Sequence, residues 1–209
     1  MTKTVAVLMG GWSSEREVSL SSGTQMAKAL EDAGYDVKRI DVQHDIPALI
    51  AALTPAPDVV LNALHGRYGE DGRIQGLLDC MGIPYTHSGL LASAIAMDKP
   101  TAKRLFEAEG IRCAPHEMVT REDFAAGRHM APPFVMKPVD EGSSVNVHIV
   151  LEKSDMPSLE DWTFGKAAMV EKYVPGREIT VGVMGDRALG VTEIRPRNGF
   201  YDYTAKYTD

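Results

Sequence analysis

Between residues 4 and 64 the chain alternates two periodicities, and this alternation restricts the fold more than any other feature. Residues 4–9, T-V-A-V-L-M, form a compact apolar run that stops at Gly10-Gly11, as a buried strand does. After the polar segment Trp12-Ser13-Ser14-Glu15-Arg16-Glu17, Val18, Met26, Leu30 and Ala33 fall at spacings compatible with one helical face. Gly34 is a natural C-terminal stop for that helix. Residues 37–42 read as a second strand, 46–53 as a second helix ending before Pro55 and Pro57, and 58–64 as a third strand. Strand, helix, strand, helix, strand at this spacing predicts a parallel sheet covered by helices, in an open Rossmann-like form. Ligands of such sheets bind beyond the carboxyl ends of the strands, which places Glu15 and His65 beside one crevice.

The third strand runs into His65-Gly66-Arg67-Tyr68-Gly69-Glu70-Asp71-Gly72, where Asp71 is expected to cap a helix over 72–81 closed by Gly82. Residues 84–86 read as a short strand and 90–97 as a helical apolar run. Asp98 opens another helix, with Pro100 in its first turn and Gly110 at its end. The character then changes, and a domain boundary is expected between about Met97 and Pro115. Phe134-Val135-Met136-Lys137 is a short strand delivering a lysine to Pro138. Glu141-Gly142-Ser143-Ser144 is a turn rich in N–H and hydroxyl donors, and Val145, Val147 and Ile149 have the alternation of a returning strand. Residues 167–174 form a further strand ending at Pro175-Gly176. Residues 178–184 and 188–194 read as a hairpin turning at Gly185-Asp186. The chain therefore joins an α/β domain to an α+β domain.

A net charge of −7, with no block of clustered Lys and Arg, argues against a nucleic-acid binder. Cys80 and Cys113 have no close partner in sequence, so neither a zinc site nor a disulfide scaffold is indicated, and a reduced cytoplasmic setting fits. The N-terminal apolar run is too short for a signal peptide, and no stretch is long enough to cross a membrane.

Gly10-Gly11 lacks the G-x-G-x-x-G spacing of a dinucleotide fold, and Gly165-Lys166 is followed by Ala167, so no P-loop is present. The donor-rich turn beside Lys137 suits anionic oxygens of a polyphosphate, although a Gly/Ser turn is also an ordinary hairpin tip. Glu15 could bind a ligand ammonium or merely favour a helix N-terminus; a lone His65 is more often structural. Lys99, Lys137 and Lys172 stand at strand or helix ends, with Lys206 near the end of the sequence. Glu171-Lys172-Tyr173-Val174 followed by Glu178 supplies a backbone edge beside carboxylates, which suits an adenosine but also an ordinary charged edge strand.

Six segments in order resemble the D-alanine–D-alanine ligases of the ATP-grasp superfamily. They are V-A-V-L-M-G-G-W-S-S-E-R-E-V-S-L-S-S-G, A-L-H-G-R-Y-G-E-D-G-R-I-Q-G-L-L-D, G-I-P-Y-T, S-A-I-A-M-D-K, V-M-K-P-V-D-E-G-S-S-V and F-Y-D-Y-T-A-K-Y. The resemblance implies a Rossmann-like pre-ATP-grasp domain over 1–97 and a nucleotide-gripping ATP-grasp subdomain over 98–182. Residues 183–209 would begin the C-terminal subdomain and lid loop. It implies that Glu15 holds the amino group of the first D-alanine, with His65 beside its carboxylate. Lys99 and Lys137 would contact ATP phosphates, and Gly142, Ser143 and Ser144 would cover them. Glu171, Lys172 and Val174 would frame the adenine and Glu178 the ribose. Lys206 would approach the γ-phosphate, and Tyr207 would close a lid within a Glu15, Ser143 and Tyr207 group. Tyr207 favours the dipeptide over the depsipeptide product, for which the family uses histidine.

The same resemblance implies ATP with Mg2+ or Mn2+ as cofactors and a homodimer making a peptidoglycan precursor, with no nucleic-acid or membrane partner. The family's metal-binding Asp and Glu-x-Asn, with an arginine for the transferring phosphate, would lie beyond Asp209. The sequence is therefore expected to be an incomplete, ATP-grasp fragment of a longer ligase. The alternatives are another ATP-grasp carboxylate–amine ligase and a catalytically incomplete ATP- or amino-acid-binding protein.

Overall fold

The computed structural model describes residues 2–195, and these divide into two compact units. The first comprises Met1–Gly110 with Asp140–Gly142, and the second comprises Ile111–Val139 with Ser143–Asp209.

The first unit is built on β1 (Thr4–Gly10), α1 (Arg16–Asp32), β2 (Asp36–Val42), α2 (Ile46–Ala52), β3 (Val59–Asn62), α3 (Arg73–Met81), α4 (Leu90–Met97) and α5 (Lys99–Ala108). Its strands form a parallel sheet in the order β2-β1-β3. The central strand β1 is buried on both faces, which accounts for its unbroken apolar sequence. Ala6 and Leu8 pack with Leu49 and Leu53 of the α2 region and with Ile74 and Leu78 of α3. Val5, Val7 and Met9 point the other way, to Ala27 of α1. Asp45 and Asp98 cap α2 and α5, their carboxylates accepting from Ala48 N at 3.0 Å and Thr101 N at 2.9 Å.

The second unit contains β4 (His116–Thr120), α6 (Arg121–Ala125), β5 (Phe134–Lys137), β6 (His148–Val150), β7 (Ala167–Lys172), β8 (Glu178–Met184) and β9 (Arg187–Ile194). Four of its strands form an antiparallel sheet in the order β4-β7-β5-β6, and β8 and β9 form a separate hairpin. One face of the larger sheet carries Phe134, Met136, Val150, Ala168, Val170 and Val119, closed by Phe124 of α6 and by Phe164. The opposite face carries a cross-strand row, His116–Glu171–Val135–Ile149, and Lys137 lies two residues along from Val135.

Several local expectations differ from the structure. The return strand begins only at His148, because Ser143, Ser144 and Asn146 adopt left-handed φ of 55°, 60° and 54°, which a strand cannot contain. Tyr85 makes a single bridge to Val60 instead of a strand. Gly72, not Asp71, is the N-cap of α3; the Asp71 carboxylate takes Tyr68 N at 2.8 Å and Arg73 N at 3.3 Å. The compact division falls after Gly110, inside the interval from Met97 to Pro115 expected for the boundary though later than the residue 98 implied by the resemblance, because α5 packs with α4. A division at residue 183 would cut strand β8, which pairs along its length with β9. Strand β4 and helix α6 had no counterpart in the sequence reading. Lys206, Tyr207 and the surrounding aromatic segment lie outside the described residues.

Candidate functional site

In the first unit the parallel strands deliver two loops at their carboxyl ends, 11–15 after β1 and 63–72 after β3. Glu15 ends the first loop as the N-cap of α1, and it is only 4% exposed. Its carboxylate sits against two glycines. A Cβ added to Gly66 would lie 2.3 Å from Glu15 Oε2, and one added to Gly142 would lie 3.4 Å away. The absence of side chains at these two positions is what makes room for the carboxylate. Gly66 also has φ +67°, so glycine is favoured there twice over.

The two loops are tied together. Ser13 Oγ donates to the His65 carbonyl at 2.8 Å and accepts from Glu15 N at 3.2 Å. The His65 ring has Nε2 3.3 Å from Ser22 Oγ and Nδ1 4.0 Å from a Glu70 carboxylate oxygen. Glu70 also accepts from Gly66 N at 2.6 Å, fixing the start of the glycine loop. Below it, buried Asn62 and Gln75 both donate to the Gly69 carbonyl, at 2.8 and 2.9 Å. Arg16 forks onto Asp41 with two contacts of 2.8 Å and reaches the Gly11 carbonyl at 2.9 Å. That pairing raises the guanidinium pKa further above its ordinary value. Ser13, Ser22, Glu70 and Asn62 were not singled out from the sequence. Asn62 alone left a signal, as a polar residue inside the apolar run V-V-L-N-A-L.

Lys99 begins α5 and donates its ammonium to the Glu141 carbonyl, so it meets the segment carrying Gly142 within the first unit. Glu141 Oε2 is buried without a hydrogen-bond partner among the described residues.

In the second unit a cavity of about 970 Å³ opens on the far side of the sheet from the aromatic core. Val135 and Ile149 line it with Glu171, Lys172 and Val174, and Glu178 completes its rim. Lys137 is ion-paired to Glu171, both side chains being largely buried. Lys172 N and Tyr173 N are taken by the carbonyls of Pro115 and Pro133, at 2.9 and 3.2 Å, which fixes the backbone edge beside the cavity. Ser143 and Ser144 belong to this unit. Their consecutive left-handed conformations are uncommon for residues with a Cβ, and such strain concentrates where a ligand is gripped. A slot floored by Val135 and Ile149, with Glu171, Glu178 and Glu193 and the cations Lys172, Arg177 and Arg195 in its lining, suits a nucleoside carrying phosphates. Among the described residues no group of three or more His, Cys, Asp and Glu side chains could hold a metal ion, so the Mg2+ implied by the resemblance finds no ligand set there.

Residues 105–209 match the family described as "D-ala D-ala ligase C-terminus", and residues 49–88 match "D-ala D-ala ligase N-terminus". The D-alanine–D-alanine ligase of Rhodospirillum rubrum is 60% identical over 99% of this chain, which covers 70% of that protein. The chain belongs to the D-alanine–D-alanine ligase family. The ligases of Acidiphilium cryptum and Granulibacter bethesdensis are 59% and 56% identical, each over 98% of the chain, which covers 68% and 67% of them. Among solved structures, the D-alanine–D-alanine ligase of Bacillus anthracis superposes with a TM-score of 0.81 at 36% identity, over all of this chain and 69% of that one. The same enzyme complexed with ATP superposes with a TM-score of 0.79. The fold is thus that of an ATP-grasp ligase, carried here by a chain spanning about 70% of its relatives' length. The matched N-terminal segment takes in His65, Gly66 and Glu70, and the C-terminal one takes in Lys137, Ser143, Glu171, Glu178, Lys206 and Tyr207. Glu15 and Lys99 lie outside both.

Proposed function

We propose that this chain carries the amino-acid-holding and nucleotide-gripping parts of an ATP-dependent ligase that joins two D-alanines. The observation that carries the reading is the Glu15 carboxylate, buried between Gly66 and Gly142 at the carboxyl ends of a parallel sheet. A carboxylate held there, with little water to compete, is suited to an ammonium group. His65, oriented by Ser22 and Glu70, stands three residues before Tyr68 on the adjoining loop and would face the carboxylate of the same D-alanine.

In the reaction, the γ-phosphoryl group of ATP passes to a carboxylate oxygen of the first D-alanine, giving D-alanyl phosphate and ADP. The amine of the second D-alanine then attacks the acyl carbon, phosphate leaves with the bonding electrons, and the nitrogen loses a proton. Such a transfer needs positioning and charge neutralisation more than covalent help, and Mg2+ supplies part of that neutralisation when bound. Lys99 and Lys137 would contribute cationic charge at the phosphates, and Gly142, Ser143 and Ser144 would donate N–H and hydroxyl groups. Glu171, Lys172 and Val174 would frame the adenine, and Glu178 would accept from the ribose hydroxyls. Lys206 and Tyr207 are assigned by resemblance to the γ-phosphate and to lid closure with Glu15 and Ser143. Closure has a chemical purpose, because an acylphosphate hydrolyses in water. The product serves peptidoglycan precursor synthesis in the cytoplasm, and a homodimer is the proposed assembly. No helix among the described residues is long and apolar enough to cross a membrane.

Calorimetry with ATP and with D-alanine, alongside ADP release, tests the two halves separately. Glu178→Ala is expected to weaken ATP binding about tenfold while leaving D-alanine binding intact, and Glu15→Gln to do the reverse. D-alanine affinity unchanged in Glu15→Gln would remove Glu15 from the amino-acid site.

A further inference from the structure

Tyr68 occupies a backbone position that a tyrosine ordinarily avoids. Its φ is +72°, in the left-handed region where only glycine escapes a steric penalty. What holds it there is an aromatic and cationic enclosure. Its ring lies 4.8 Å from the Trp12 ring and 6.4 Å from that of His44, with the Arg73 guanidinium 4.9 Å and the Arg67 guanidinium 5.3 Å from its centroid. Its N–H donates to Asp71 at 2.8 Å, and Asp71 in turn pairs with Arg73. Trp12 also stacks on His44, with centroids 4.8 Å apart. The Trp12 Nε1 is buried with no hydrogen-bond partner among the described residues, so ring packing fixes the indole.

The placement of these rings is the informative part. Trp12 stands three residues before Glu15, and Tyr68 three residues after His65. Their contact therefore joins the two loops that carry those residues, as does the hydrogen bond from Ser13 to the His65 carbonyl. A glycine at position 68 would satisfy the backbone but would leave Ser13 as the main tie between the loops.

We propose that Tyr68 is a positioning residue for the first D-alanine, acting through its ring on Trp12 to hold the Glu15 loop against the His65 loop. This rests on the reading of Glu15 and His65 as the holders of that D-alanine. The ring contact exchanges a strained backbone for a fixed distance between an ammonium acceptor and its neighbouring histidine. Offset aromatic pairs and cation–π contacts are individually modest, so the expected effects are moderate as well.

The test compares Tyr68→Gly, Tyr68→Phe, Trp12→Ala and the Trp12→Ala/Tyr68→Gly double variant. Hydrogen exchange at the amides of residues 11–16 and calorimetric binding of D-alanine are the two readouts. Tyr68→Gly is expected to melt close to the parent, since relief of the backbone strain offsets the lost ring. Its 11–16 amides should exchange about tenfold faster, and D-alanine should bind about fivefold to tenfold more weakly. Tyr68→Phe keeps the ring and should restore both readouts to within about twofold. Trp12→Ala should match Tyr68→Gly, and the double variant should add little, because both remove one contact. Unchanged exchange in Tyr68→Gly would overturn the proposal whatever the ligand does. Faster exchange with unchanged D-alanine affinity would overturn its link to substrate. If the parent protein itself binds no D-alanine, the amino-acid reading of the site fails, and the exchange measurement still decides whether Tyr68 holds the loop.

Discussion

Replacing Gly66 by alanine separates the two reasons for a glycine at that position. The backbone there has φ +67°, and an L side chain in the left-handed region costs about 1–2 kcal/mol. The added Cβ would also stand 2.3 Å from Glu15 Oε2, and ordinary contact requires the carboxylate to retreat by about 1 Å. Glu15 is a flexible side chain, but at 4% exposure it has little space to yield into, and Gly142 also borders its carboxylate. The retreat should therefore displace the group proposed to hold the ammonium. Misplacement by about 1 Å can cost on the order of 100-fold in activity.

Gly34 provides the control. Its φ is +87°, and a Cβ there meets nothing within 4 Å, so Gly34→Ala incurs the backbone strain alone. Both variants should lose about 1–2 kcal/mol, seen as a fall of roughly 2–8 °C in melting temperature. Only Gly66→Ala should lose D-alanine binding and D-alanine-dependent ADP release, by roughly 30- to 100-fold, with ATP affinity retained. Equal D-alanine affinity in the two variants would refute the argument, since the Glu15 carboxylate would then tolerate displacement or lie outside the site.

Two further outcomes follow from packing and charge. Gly23→Ala should gain about 1 kcal/mol of helix propensity, but its Cβ would meet Met9 Cβ at 2.4 Å on the central strand, where neither atom can rotate away. Urea unfolding should show a net loss of about 1–2 kcal/mol, and a gain would contradict the close approach of α1 to β1. Asp123 has its carboxyl held below the usual carboxylate range, first by the hydrogen bond from Arg128 and then by that from Thr120. A lowered folded-state value means a contribution that is complete above the unfolded value of about 3.9 and lost as pH falls through the folded one. Melting temperature should consequently fall less steeply below about pH 4 in Asp123→Asn than in the parent; parallel slopes would show that the Arg128 contact contributes nothing to acid sensitivity.

The parts of this architecture that were legible in the sequence are those set by near neighbours. The doubly buried β1 follows from its unbroken apolar run, α5 from Asp98 and Gly110, and the β8–β9 hairpin from its alternation about Gly185. The order β4-β7-β5-β6 was not legible, because it depends on pairings between strands far apart in the chain. Strand β4 was missed for a related reason. In H-E-M-V-T only Val119 is fully buried, so the segment reads as a strand once β7 supplies its partner row.

The candidate site divides along the same line. Lys137, Glu171 and Glu178 sit at strand ends that periodicity locates; Glu171 and Glu178 line one cavity, with Lys137 paired to Glu171, because alternation sends Val135, Ile149 and Glu171 to the face opposite Phe134 and Met136. The environment of Glu15 is different in kind. Its defining neighbours, Gly66 and Gly142, contribute by having no side chain, and such a contribution leaves no pattern until the chain is folded. Tyr68 makes the converse point. Read in order, it is a bulky residue in a glycine-rich loop; placed against Trp12, it explains how a left-handed tyrosine persists between His65 and Glu70. Both cases bear on the 63–72 loop: Gly66 leaves room for the Glu15 carboxylate, and Tyr68, through Trp12, is the proposed tie to the loop that carries it.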